Sequence, residues 1–368
     1  LGYIRGMITP RSALKFDLFA DSSRKGKLDE VGDPLQVIAR HIDFGQLAAL
    51  ADDLLERSDG RKGGRPAYPT EVMVRILVLK RLYNLSDEQM EFQLLDRMSY
   101  QRFCLLQDSM NVPDRNTIWR FGERIGEGGA TALLHGVDAQ LHRHGFIARG
   151  GQAIDATLVP APVQHIGKAD RSQIAQGQQP EWSDAKRRQK DLDATHTKKH
   201  GKGYFGYKLS VSVDHKHGFI RGVATGTASE HDGHHFDEVL DQSNTGRQVD
   251  TDKGYASKQR QEMLKALGFK DGIQRKAHKN KPLSACQQRR NKAIAKRRAK
   301  VEHVFAGIRH MGGKFLRCIG QVRASATMLM MAACYNLKRL ASFLERGVDS
   351  FFKSKPSKTE VRLQTANR

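Results

Sequence analysis

Three carboxylates stand in three different local settings: Asp155 in GQAIDATLVPAP, Asp252 in VDTDKGY and Glu302 in RRAKVEHVFAGIR. The first two follow or interrupt short apolar runs of the kind that form strands, and the third lies on a helix-period segment rich in Arg and Lys. Two divalent cations bridged by carboxylates can activate an attacking oxygen and stabilise a leaving oxygen at phosphorus. In a strongly basic chain this pattern points to metal-dependent phosphodiester chemistry.

Each acid also has a plainer reading. Asp155 sits among Ala153, Ile154, Ala156, Leu158 and Val159, so its carboxylate must find a cation, a hydrogen-bond set or an open strand face, because an unpaired buried charge is costly. Asp252 precedes Lys253-Gly254-Tyr255, a strand-to-helix turn at the end where α/β ligands bind. Asp250 lies two residues earlier on the same strand face, and period alone does not choose between the two. Arg298, Glu302 and Arg309 are spaced by four and seven residues, which puts them within about 40° on one helix face, beside the apolar Val301, Val304, Phe305 and Ile308. The plain alternative there is an i, i+4 ion pair on a solvated face.

Two further groups stand out. Lys202 and Lys208 flank Tyr204, Phe205 and Tyr207, as two DNA-lining lysines or two solvated strand ends around core aromatics. His231, Asp232, His234 and His235 lack paired zinc-ligand spacing and have no Cys nearby; Asp232 is placed where a helix cap is wanted.

The whole chain of 368 residues carries a formal charge of +22 and a sequence pI near 10.0. Such a balance favours a polyanionic partner, since each Lys or Arg laid on a phosphate releases condensed counterion. No apolar run approaches the roughly 20 residues of a spanning helix, and no secretory signal precedes the first charges. Ala326 to Leu337 is the most apolar stretch and reads as a buried helix. Cys104, Cys286, Cys318 and Cys334 lack any paired spacing and read as reduced thiols of a cytosolic protein. Met7 is read as the natural start.

These residues need elements to position them. A flexible leader is expected through residue 33, then helices from 34 to 149, including a stripe from Leu35 to Leu54, a break from Ser58 to Pro69, a helix at Val72 to Leu82, a capping box at Ser86 and Gln89, and a helix at Thr117 to Ile125. Such short helices fit either a helix-turn-helix or a plain bundle. From Gly150 the pattern becomes α/β. Strands are expected at Ala153–Val159, Tyr204–Val213, Phe219–Thr225, Arg247–Asp252 and Gly272–Arg275, the second and third forming an antiparallel hairpin. Helices are expected at His235–Leu240, Ser257–Leu267, Ala285–Gly307 and Ser325–Glu345. The polar stretch Gln164 to Gly203 reads as a loop, and 346–368 as a basic tail.

The segments AIDATLVPAP, KKHGKGYFGYKLSVSVD, TASEHD, VDTDKGYAS and RAKVEHVFAGIRHMGG together resemble bacterial DDE transposases of the insertion-sequence-five group, over roughly Pro34 to Leu340. The resemblance implies a ribonuclease-H-like catalytic domain over 150–345, a mixed sheet with flanking helices, preceded by an all-α DNA-end-binding region. It implies Asp155, Asp252 and Glu302 as ligands of two magnesium ions, for which manganese substitutes, and Arg298 and Arg309 as phosphate contacts. Related transposases carry Tyr and Lys where this chain has Ala295 and Arg309; Arg309 keeps the charge. The implied partners are double-stranded DNA, as terminal inverted repeats and target, and a second copy of the chain in a dimer or larger synaptic complex, in the bacterial cytoplasm. The rivals are a non-catalytic DNA-binding repressor and a stand-alone nuclease.

Overall fold

The computed structural model describes residues 17–55, 66–164, 166–199, 201–279 and 281–347. The expectations on Met7, on the first part of the turn-rich break and on the tail beyond 347 lie outside the described residues.

The first half is helical: α1 (Ala20–Val31), α2 (Pro34–His41), α3 (Phe44–Asp52), α4 (Thr70–Leu82), α5 (Asp87–Asp96), α6 (Met98–Phe103) and α7 (Arg115–Arg143). Their starts are written locally. Asp33, Asp43 and Asp114 each accept a backbone N–H of the first turn, and Ser86 and Gln89 make both halves of a capping box. α7 continues past Ile125, where the sequence ended the helix; a kink marks the place at Gly126, whose φ of 55° glycine tolerates. α1 corrects the leader, since residues 20–31 are helical, although no side chain of α1 is buried. Arg102 ties it down by donating to Asp29 at 2.8 Å.

The second half contains β1 (Gln152–Pro160), α8 (Lys168–Ala175), α9 (Asp184–Arg188), β2 (Thr195–Lys199), β3 (Lys202–Asp214), β4 (Ile220–Thr227), α10 (Phe236–Val239), β5 (Gln248–Thr251), α11 (Lys258–Ala266), β6 (Lys270–Ile273), α12 (Ala285–Ile308) and α13 (Gln321–Arg346). β3 and β4 form the expected antiparallel hairpin, and β3 also pairs antiparallel with β1. β1 pairs parallel with β5, and β5 with β6. The ladder therefore runs β4–β3–β1–β5–β6, with β2 added to the first residues of β3. This is the mixed sheet with flanking helices that the sequence led us to expect.

The two sheet faces are assigned by strand alternation. Ile154 of β1 joins Val249 of β5 and Phe236, Val239 and Leu264 of α10 and α11 in one apolar cluster. Its neighbour Asp155 must then face the other side, where α12 packs across β1 and β5.

The stretch read as a loop between β1 and β3 holds α8, α9 and β2 instead. Hydrogen bonds order it in place of apolar period. Buried Asp191 accepts from the Tyr207 hydroxyl at 2.8 Å and from the Ala194 N–H at 3.0 Å, and Trp182 Nε1 donates to Asp170 at 2.9 Å.

A second finding concerns the boundary at Gly150. Leu47, Leu79 and Leu133 of the helical half lie in one continuous apolar cluster with Val211, Val304 and Met331 of the other half. α13 packs against α7, α2 and α4 as well as β4. Buried Asn336 fixes α13 to β4 by accepting from the Ile220 N–H at 2.9 Å and donating to its carbonyl at 2.8 Å. Gly150 marks a change of secondary structure without a gap in the packing.

Candidate functional site

β1 and α12 build the centre. Asp155 Oδ2 accepts from Arg298 Nη2 at 2.7 Å, and its Oδ1 from the Ala156 N–H at 2.9 Å. Its side chain is 23% exposed, so the face it occupies is partly open. Burial raises the Asp155 pKa above the usual carboxylate value and the charge of Asp252 pushes the same way, while Arg298 and the Ala156 N–H oppose both. The parallel register that sets Ala153 of β1 opposite Asp250 of β5 puts Asp155 and Asp252 on the same face of the sheet.

Asp252 follows β5 directly and caps a 3-10 turn, Lys253–Tyr255, with Oδ1 accepting from the Gly254 N–H at 2.7 Å. An added Cβ at 254 would stand 2.9 Å from that oxygen, so a larger residue there would push the Asp252 carboxylate aside. Asp250, the alternative that period left open, has a different environment. It is fully buried, accepts from Arg297 Nε at 2.6 Å and Nη2 at 2.8 Å and from Gln248 Nε2 at 2.9 Å, and pairs with His215 Nε2 at 2.9 Å. Burial opposes its ionisation, but Arg297 and His215 outweigh that and hold its carboxyl below the usual range. Asp250 is a fastener between β5 and α12, and Asp252 is the acid left at the strand end.

α12 opens with a second capping box, Ser284 and Gln287, and buries Val301, Val304, Phe305 and Ile308. Its adjacent Arg297 and Arg298 reach Asp250 and Asp155 on neighbouring strands, which fixes both the rotation and the axial position of the helix. Glu302 is exposed one turn beyond Arg298 and has no hydrogen-bond or ion-pair partner among the described residues. Arg309 is exposed where α12 passes into a wider turn, Arg309–Gly313. Arg298 differs from a solvated phosphate contact: its side chain is 16% exposed and it is engaged on Asp155.

Lys202 is exposed at the start of β3, but Lys208 corrects its expectation. Its side chain is 8% exposed; Nζ pairs with Asp232 Oδ1 at 2.7 Å and donates to the Glu230 carbonyl. The ammonium is spent on fastening the 230–232 segment over β3 and is not offered to DNA. Phe205 and Tyr207 are core, as weighed. The 3-10 turn Asp232–His235 is capped by His231, whose Nδ1 accepts from the Gly233 N–H at 3.1 Å, and not by Asp232.

Sequence reasoning overlooked Tyr255. Its hydroxyl is buried without a hydrogen-bond partner, and burial together with the charges of Asp232, Asp155 and Asp252 pushes its pKa well up. It remains a neutral O–H donor among carboxylates; the available signal was its place two residues after the Lys that follows Asp252 in the D-K-G-Y run.

Among the described residues no three His, Cys, Asp or Glu side chains gather closely enough to form a ready metal site. Asp155 and Asp252 nevertheless fit a hard cation: both are oxygen donors, their like charges oppose each other, and a cationic group, Arg298, already stands against one of them. Glu302 is placed on the adjoining helix without closing onto the pair.

No helix among the described residues is long and apolar enough to cross a membrane. No solved structure matches the chain. A family model described as "Transposase domain (DUF772)" matches residues 22–124, covering α1 to the first part of α7. A second, "Transposase DDE domain", matches residues 148–337, which takes in every strand, α12 and most of α13. With its sheet, its paired aspartates and its arginine-bearing helix inside that span, the chain belongs to the transposase DDE domain family.

Proposed function

We propose that the protein is a DNA transposase of the insertion-sequence-five group, which binds the terminal inverted repeats of its element, cuts there and joins the freed end to target DNA. The observation that carries the reading is the parallel register of β1 and β5, which sets Ala153 opposite Asp250 and so puts Asp155 and Asp252, two residues further on, on one face of the sheet beneath the helix that bears exposed Glu302. The mixed sheet order and the flanking helices support a ribonuclease-H-like catalytic region.

Asp155, Asp252 and Glu302 would hold magnesium, or manganese in its place, as two ions. When bound, these supply Lewis-acid activation of water and charge stabilisation at the leaving oxygen. Hydrolysis at the element end breaks a P–O bond and frees a 3′ hydroxyl, which then displaces an oxygen of the target strand in line. Arg298 orients Asp155, Arg309 offers a guanidinium donor to phosphate oxygens, and exposed Lys202 extends the basic surface. Two ends must be joined in one event, so the active species is a dimer or larger synaptic complex.

A non-catalytic repressor derived from a transposase draws on one observation, the Arg298 ion pair that neutralises Asp155 while Glu302 stands apart. A strand-transfer assay on DNA carrying the element's own terminal repeats separates the readings. Joined product with magnesium, absent from Asp155→Ala, supports transposition. Tight repeat binding with neither cutting nor joining supports the repressor, and cutting without joining supports a stand-alone nuclease.

A further inference from the structure

A cavity of about 670 Å³ lies where α4, α5 and α7 meet the segment Phe315–Arg323 that leads into α13. It falls within the size range of small-ligand pockets. Arg81 lines it, and the Arg81 Nε is buried with no hydrogen-bond partner. The guanidinium makes one long bond, Nη1 to the Met311 carbonyl at 3.4 Å, and no ion pair among the described residues. Burial opposes the charge of part-buried Arg81, which Asp87 offsets only without direct contact, so an anion entering the cavity would supply a direct partner.

Two of the three acidic residues around the cavity are held by cations, Asp87 by Lys80 and Glu123 by Arg323 at 2.6 Å; Asp193 accepts from the Gln321 N–H at 2.8 Å and keeps its charge, so the lining stays positive by one. Arg317 is the second cation without an ion pair; among the described residues it reaches only Gln89 Oε1, at 3.5 Å. Two aromatic rings complete the lining, Trp119 at 49% and Phe315 at 48% exposure. Half-open rings beside guanidiniums without counter-ions suit a base and its phosphate, since stacking takes any base and a guanidinium takes phosphate oxygens bidentately.

We propose that this cavity binds one nucleotide of a single DNA strand, with the base against Trp119 and Phe315 and the phosphate on Arg81 and Arg317. The inference rests on the DNA-processing reading above but concerns a place separate from the aspartates. Leu316 donates its N–H to the Pro160 carbonyl at 2.8 Å, so the cavity wall is tied to the last residue of β1, five residues beyond Asp155. A strand seated there touches the helical half and the sheet half at once.

Trp119 and Trp182 are the two tryptophans of the chain, so Trp182→Phe leaves Trp119 as the single reporter. Titration of that protein with single-stranded oligothymidylate of about 10 nucleotides, within the range of known single-strand sites, is expected to quench its emission saturably. Arg81→Met should weaken the binding at least tenfold and Arg317→Ala about threefold, whereas Lys265→Ala, exposed on α11, should leave it unchanged. Arg81→Met should melt close to its parent, because Arg81 is only part-buried and makes one long hydrogen bond. If Arg81→Met does not fold, Arg317→Ala and Phe315→Leu carry the test. Absence of quenching, wild-type affinity in the cavity variants, or equal competition by inorganic polyphosphate of matched charge would overturn the proposal. Asp155→Ala should quench like its parent. A protein that cuts terminal repeats without quenching sinks this inference alone; one that quenches without cutting sinks the catalytic reading alone.

Discussion

Arg298 of α12 donates through Nη2 to Asp155 at 2.7 Å, so one guanidinium closes the helix onto the carboxylate of the central strand. Removing it leaves Asp155 part-buried with Asp252 as its main electrostatic neighbour. Arg298→Ala is expected to slow cleavage by roughly 10²- to 10³-fold, the scale of one pre-organised donor, with modest loss of DNA binding. Lys should rescue in part, as a point charge without the fork. Lys300, about 160° around the helix from Glu302, donates to the His215 carbonyl, so Lys300→Ala should alter cleavage little. Normal cleavage by Arg298→Ala beside slow cleavage by Lys300→Ala would place the DNA on another face.

Asp155→Ala, Asp252→Ala and Glu302→Ala should each abolish cleavage while leaving terminal-repeat binding nearly intact, as measured by gel shift beside the cleavage assay. Activity should require magnesium or manganese, vanish with chelator and fail to return with calcium or zinc, because an oxygen-only ligand set suits small hard cations. Manganese should also raise the melting temperature of the wild type more than that of the Asp155→Ala, Asp252→Ala double variant. Equal shifts would remove the aspartates from metal binding.

Asp250→Asn should act through stability. It leaves Arg297 and His215 without their shared anion; because the Arg297 side chain is 42% exposed and can turn to water, the cost is expected near the low end for a broken buried pair, about 3 kcal/mol. The variant should melt lower than the wild type yet, where folded, cleave far better than Asp252→Ala. A fully folded Asp250→Asn with no cleavage would make Asp250 the catalytic acid.

His217 supplies the pH dependence. Its ring packs edge-on to Phe146, and burial lowers its pKa below the ordinary histidine value; Asp214 opposes that, while Lys216, Arg221 and Arg149 reinforce it. Its neutral form is therefore favoured in the fold. The stability it contributes is present above about pH 6.5, the unfolded value, and is lost as pH falls through the lower folded one, with a slope of at most about 1.4 kcal/mol per pH unit. Melting temperature should drop between pH 7 and pH 5 in the wild type and less in His217→Gln; parallel curves would exclude this histidine.

The first turns of α7 expose Arg115, Asn116 and Arg120. Terminal-repeat preference is expected to reside upstream of Gly150, and Asn116→Ala or Arg120→Ala should reduce discrimination among repeat sequences by about 1–3 kcal/mol if they reach base edges. The whole chain is the proper test object, because a fragment ending near Gly150 would expose the apolar surface that α7 and α4 share with α13. Unchanged preference in both variants would move recognition elsewhere.

Much of this was legible in the residues. The capping box of Ser86 and Gln89 and the alternation of Tyr207, Leu209, Val211 and Val213 are local signals, and α5 and the hairpin stand where they put them, whereas the stripe from Leu35 to Leu54 is broken into α2 and α3 by an unread cap at Asp43. The apolar stripe of α12 was equally plain, since period assigns a face without knowing the partner. Ser284 and Gln287 carried the same capping signature as Ser86 and Gln89 and were readable but overlooked. Asp250 and Asp252 were not separable, because a period of two gives both the same face; only the arrival of Arg297 and His215 from distant segments made one a fastener and left the other at the strand end. Lys208 likewise reads as a solvated lysine until the 230–232 segment folds over it. The helices and strand between β1 and β3 rest on buried polar bonds such as Tyr207 to Asp191, which leave no hydrophobic period in the sequence. The sequence alone thus set those elements that carry an apolar period or a cap and offered the candidate acids, both read from local periodicity and side-chain chemistry. Tertiary structure decided which charges meet, because electrostatic pairing depends on distances between segments remote in the chain.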